Sequence, residues 1–131
     1  MQVREFNVEK DYETIASWWS RQDWPVVHVS ALSPKGFIVE NNSVKLAAAW
    51  VYKLQDSPWS LMEWTVGNPD VNWEDRSNAI NLLIEEISKY AKKDNSSYLL
   101  TMTKHQRLID KFKNQKFEET DTNMVHLMRM L

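Results

Sequence analysis

Glu63 is the one carboxylate in the stretch Trp59–Val66, where it is flanked by Met62 and Trp64. A carboxyl group among apolar neighbours is held nearer neutrality than one in water, which suits it to accept a proton from an ammonium group at ordinary pH. On a wet or ion-paired face the same glutamate is purely structural. Downstream, Glu74, Asp75 and Arg76 open a long helical pattern. The first-turn N–H groups of a helix lack intrahelical partners, so a loop running into one is a ready site for a phosphate or carboxylate. Two acids at that point also complement the helix dipole by themselves, and then Asn72–Asp75 is an ordinary cap. His28, His105 and His126 lie far apart with no carboxylate at ligand spacing, so no metal is assigned. There is no cysteine to serve as nucleophile or metal ligand.

The elements that must position these groups are set by periodicity. Trp59, Leu61, Glu63 and Thr65 alternate with Ser60, Met62, Trp64 and Val66, a strand broken by Gly67-Asn68-Pro69-Asp70. Ile80, Leu83, Ile84, Ile87, Tyr90 and Ala91 then share one helical face, with Asn72 as N-cap, Asn95 closing the helix and Glu85–Lys89 as a pair on its wet side. Before this unit the pattern predicts a strand over residues 2–8, a helix over Lys10–Arg21, an irregular stretch or short helix over Gln22–Lys35, and a hairpin of Gly36–Glu40 with Val44–Leu54. In the second hairpin strand, alternation places Leu46 on the face of Ala48 and Trp50. Strands over Tyr98–Met102, Lys116–Thr120 and Met124–Leu131 are predicted after it, with a helix over His105–Gln115. Gly67 is the expected place for a bulge or sharp exit from the central strand.

At 131 residues and a formal net charge of −2, the chain reads as one domain, 1–131, with no general attraction to nucleic acid or anionic membrane. The basic face Lys104–Arg107 with Lys111 and Lys113 reads as a solvated helix surface, which disfavours nucleic acid as a partner. No apolar run approaches the roughly 18 residues of a membrane span, and the first residues lack a signal-peptide core, so a soluble cytoplasmic protein is expected. The seven tryptophans are expected to be mostly core.

The order of elements, with HQRLIDKFKNQKF over residues 105–117 and VHLMRML over 125–131, resembles the GNAT superfamily of acyl-CoA-dependent N-acyltransferases. The segment 105–117 is similar to the family's Asn-x-Arg-Ala-x-x-Leu-Tyr-x-x-x-Gly-Phe. Arg107 and Phe117 match it; His105 stands for the Asn, Leu108 for the Ala, Phe112 for the Tyr and Lys116 for the Gly. The segment 125–131 is similar to the family's closing strand, and short members of this type are common in bacteriophages. The resemblance implies an α/β fold: a mixed, mostly antiparallel sheet of six to seven strands with helices on both faces. It implies transfer of an acetyl group from acetyl-CoA to a primary amine of a small molecule or protein, with a catalytically inactive interaction or virion-associated module as the alternative, and it admits a homodimer.

Carried over residue by residue, the resemblance puts the diphosphate loop at Glu74–Ala79, with Arg76, Ser77, Asn78 and Ala79 as contacts. Pantetheine falls on the main chain of Trp64, Thr65 and Val66, and His105 and Phe112 join the cofactor side. Glu63 becomes the general base. The acceptor pocket is assigned to Trp18, Trp19, Trp24 and His28.

Overall fold

The computed structural model describes all 131 residues. Its elements are β1 (Gln2–Glu5), α1 (Val8–Arg21), β2 (Gly36–Asn41), β3 (Val44–Lys53), β4 (Trp59–Gly67), α2 (Trp73–Lys93), β5 (Tyr98–Leu100) and α3 (Gln106–Asn114). The sheet runs in the order β1-β2-β3-β4-β5; β1 to β4 pair antiparallel and β5 joins β4 in parallel. A parallel neighbour requires a crossover, and α2 supplies it.

Local chemistry sets the boundaries. Asn7 accepts a hydrogen bond from the Lys10 N–H (3.0 Å), so it caps α1, ends the first strand at Glu5 and starts the helix two residues before the expected Lys10. Asn42 and Ser43 both have positive φ (49° and 67°), the two-residue turn whose twist matches a hairpin. At the end of α2, Asn95 has φ 64°; its N–H reaches the Lys92 carbonyl (3.1 Å) and the Ser96 N–H the Ala91 carbonyl (2.9 Å), closing the helix as a Schellman motif. Lys89 pairs with Glu86 (3.1 Å) rather than with Glu85. The stretch between α1 and β2 is loop with one 3₁₀ turn, Val29–Ala31.

Helices cover both faces. On one side Leu83, Ile84 and Ile87 of α2 and Phe112 of α3 pack on Val39, Ala49, Val51 and Met62. On the other, Ile15, Trp18 and Trp19 of α1 pack on Ile38, Ala48, Trp50 and Val66. Leu46 belongs to the α2 side, not to the face of Ala48 and Trp50. The register slips between Val39 and Glu40, which leaves Leu46 as an extra residue and turns it over. Below α1, Asp11 is wholly buried yet charged. Burial alone pushes its carboxyl up, but Arg4 (2.7 and 2.9 Å), Lys45 (3.0 Å) and the Asn7 N–H (2.8 Å) pull it well below the carboxylate range. This cluster fastens α1 to β1 and β3.

The sheet has five strands, not the expected six to seven. Lys116–Thr120 and Met124–Leu131 are not strands, because a strand exists only with a partner and neither segment meets one in this chain. The tryptophans divide: Trp18, Trp19 and Trp50 are core, while Trp59, Trp64 and Trp73 are exposed. No helix is long and apolar enough to cross a membrane.

Candidate active site

β4 loses its outer partner halfway along. Pairing with β5 covers Trp59, Ser60 and Leu61 and then stops, so Met62 to Gly67 have an open edge on that side. Within this stretch the β3–β4 register slips between Ala48 and Trp50, leaving one extra residue in β4. The bulge centres on Trp64, which has φ 61°. A bulky residue in the left-handed region is strained, and such strain concentrates at functional sites. The expected bulge residue, Gly67, does something different. A Cβ there would lie 2.4 Å from both Cγ and Cδ of Arg76, so glycine lets the Arg76 side chain cross the end of β4.

Glu63 lies opposite Trp50 in the register, which puts it on the α1 side of the sheet. Burial pushes its carboxyl up to about 7, and the Met102 N–H offsets only part of that. Its Oε1 is buried without a hydrogen-bond partner. Only three buried side-chain polar atoms lack a partner: Trp50 Nε1, Glu63 Oε1 and Thr65 Oγ1, two of them on the open stretch of β4. Buried polar groups are nearly always paired, so an orphan carboxyl oxygen beside an unpaired strand edge marks a place built for something other than stability.

Tyr52 lies close to it. Tyr52 accepts a hydrogen bond from Trp64 Nε1 (2.8 Å) and donates to the Ala31 carbonyl (2.9 Å). Burial, with Glu63 nearby, holds its phenol above the ordinary range, so it stays protonated. From the loop after α1, Trp24 stacks on His105 at 4.3 Å between ring centroids, joining that loop to the start of α3. Burial and then Lys104 lower the His105 imidazole, which favours its neutral form.

The assigned residues therefore separate. Glu63, Trp64, Thr65 and Val66 share the open edge, and Trp24 meets His105. Trp18 and Trp19, each 2% exposed, are embedded under the sheet, and His28 caps the 3₁₀ turn by accepting from the Ser30 N–H (3.1 Å). Phe112 packs on Phe117 in the core.

Glu74–Ala79 is not a loop but the first turns of α2. The Asn72 side chain takes the Asp75 N–H (2.8 Å) and its carbonyl the Arg76 N–H (3.2 Å). With no glycine to hold the segment open and two acids favouring the dipole, the helix starts a turn early. The N–H groups of Ser77, Asn78 and Ala79 then point along the helix to carbonyls one turn back, and Ala79 is buried in the core. Two cations remain at this end. Arg76 donates to the Asn68 carbonyl (3.2 Å), and Lys111 of α3 donates to Ser77 Oγ, burial having lowered its ammonium. Lys111, Tyr52 and the Met102 N–H were not legible as site groups; only the fold brings them near.

No family model matches the sequence, and no curated protein matches it. Among solved structures, the ribosomal-protein-S18-alanine N-acetyltransferase of Escherichia coli superposes with TM-score 0.75 at 13% identity, covering 92% of this chain and 79% of that one. A Mycobacterium tuberculosis protein in complex with CoA and NLQ gives 0.74 at 11% identity, over 96% and 76%. A GNAT-family acetyltransferase of Streptococcus pneumoniae gives 0.71 at 9% identity, over 98% of each chain. At such identities what is shared is architecture: this chain has the fold of these acetyltransferase structures.

Proposed function

We propose that the protein is an N-acetyltransferase that moves the acetyl group of acetyl-CoA to a primary amine. The observation that carries this reading is Glu63: a carboxyl pushed up to about 7, with an orphan oxygen, where β4 loses its neighbour. An open strand edge is a docking rail for an extended amide chain, and the pantetheine arm is one. The M. tuberculosis neighbour, seen with CoA, supports the choice of ligand.

In this reading the acetyl thioester lies along Glu63–Val66 and the acceptor enters from the side of Trp24 and His105. Glu63 takes one proton from the ammonium; the free amine attacks the thioester carbonyl; the tetrahedral intermediate expels coenzyme A as thiolate, and the nitrogen gives its remaining extra proton to that sulfur, leaving the neutral amide and the coenzyme A thiol. A thiol pKa near 8.5 lets that group leave without a tyrosine acid, which accords with Phe112 sitting in the core. Arg76 and Lys111 supply positive charge for the diphosphate in place of a glycine loop. The reaction belongs in the cytoplasm, where acetyl-CoA is available.

The test is Glu63→Gln, assayed with acetyl-CoA against polyamines, aminoglycosides, amino acids and lysine peptides. Turnover should fall by about 10²–10⁴-fold with coenzyme A affinity unchanged, and raising the pH should restore part of it, because the amine then deprotonates unaided. Equal turnover of both proteins across pH would remove Glu63 from the mechanism.

A further inference from the structure

Glu63 shares the α1 side of β4 with Leu61 and Trp59, because Glu63 lies opposite Trp50 and Leu61 opposite Tyr52, and both partners belong to that side. In the parallel register Trp59 faces Tyr98 and Leu61 faces Leu100, so β5 adds two more apolar side chains to the same face. The alternate residues confirm the orientation: Met62 and Leu99 go to the α2 core. Trp24 packs on the α1 side too, and from there it reaches His105. An acceptor entering on that side meets this row.

The row is not part of the core. α1 covers Ile38, Ala48, Trp50 and Val66, whereas Trp59, Leu61, Tyr98 and Leu100 pack on neither apolar cluster. Trp59 and Tyr98, 38% and 54% exposed, stack on each other at 4.7 Å between ring centroids. On the reverse of the same strand Ser60 and Met62 are buried. A sheet with one wet face ordinarily alternates apolar inside with polar outside, and four adjacent apolar side chains on the open face break that rule. Such a patch, contiguous with a reactive group, is a contact surface for a ligand.

Its charge and length say what that ligand is. The four side chains carry no charge, and the row ends at the carboxyl of Glu63 with its unpartnered Oε1. At the rise of a strand, Trp59 stands about 13 Å from Glu63 along β4. The complement is a molecule with one ammonium at its end and an uncharged apolar body behind it. A second ammonium on that body would be desolvated against the row with no carboxylate to meet it. We infer that the acceptor is a primary amine on an unbranched or aromatic apolar body, its nitrogen at Glu63 and its body laid over Leu61 and Leu100 to the Trp59/Tyr98 pair. This rests on the acyl-transfer reading and names the acceptor class within it.

Acetylation of octylamine and of butylamine by one preparation gives a ratio of kcat/KM values that partial unfolding does not alter. Octylamine should be favoured about 10-fold, for four further methylenes each covered on one side only. Trp59→Ser with Tyr98→Ser should bring the ratio close to unity. Tyr98→Glu should turn the preference from octylamine to the α,ω-diamine of the same length, a gain that misfolding cannot mimic. Equal kcat/KM for the two amines in the unmodified protein, a ratio that survives both serines, or a Tyr98→Glu protein that still prefers octylamine would each overturn the row while acetyl transfer stands. Should neither amine be acetylated, calorimetric titration with octylamine decides. Binding that the two serines abolish would keep the row and remove the acyl-transfer reading; no binding, or equal binding by both proteins, would remove the row as well.

Discussion

Glu63 is costly to the fold, and that cost is measurable. Its folded-state pKa of about 7 lies above the unfolded value, so the protonated form favours folding. Stability from this group is fully present at acid pH and is lost as pH rises through 7. Glu63→Gln should therefore leave the melting temperature unchanged near pH 5 and raise it near pH 8. The gain should be on the order of 1–2 kcal/mol, less than the full shift because the residue is only partly buried. Equal stability of the two proteins at pH 8 in thermal melts would mean that the carboxylate is already well solvated. The placement of Glu63 on a strand among apolar residues was legible from alternation alone. Its lack of a partner was not, because that depends on where β5 stops, on the Met102 amide and on the bulge at Trp64.

At the scale of elements, the junction of β4 and α2 holds the next test. Gly67→Ala would push a methyl group into the Arg76 stem and move the guanidinium off the Asn68 carbonyl. If Arg76 faces the diphosphate, acetyl-CoA should bind about 5-fold more weakly to Gly67→Ala and to Arg76→Ala alike, roughly a kilocalorie per mole for one partly exposed charge. Calorimetric titration of the double variant should show little further loss, since both changes remove one contact. Full additivity would separate the glycine from the arginine. The strand–loop–helix unit itself was readable because Asn72, Asp75 and the apolar face from Ile80 to Ala91 agree with one another. The same agreement defeated the loop assignment: the features that made the helix easy to see also made Glu74–Ala79 helical. The two missing strands show the opposite limit, since alternation in Met124–Leu131 describes a strand without saying which edge completes it.

For the whole molecule, an acyltransferase role requires this architecture to bind acyl-CoA without a glycine loop. At about 100 times its dissociation constant, acetyl-CoA should add roughly 2.7 kcal/mol, a melting shift of several degrees for a domain of this size. Free coenzyme A should match it, because the diphosphate and pantetheine make most of the contact. Such a shift reports binding but not its place, and every role given to Glu63 and Arg76 depends on the place. Amide hydrogen exchange, compared residue by residue with and without acetyl-CoA, reads it directly. The N–H groups of β4 between Glu63 and Gly67 should become protected when acetyl-CoA is present, while the paired stretch Trp59–Leu61 should not change. Protection that leaves residues 63–67 untouched, or none at millimolar acetyl-CoA, would contradict docking on the open edge of β4.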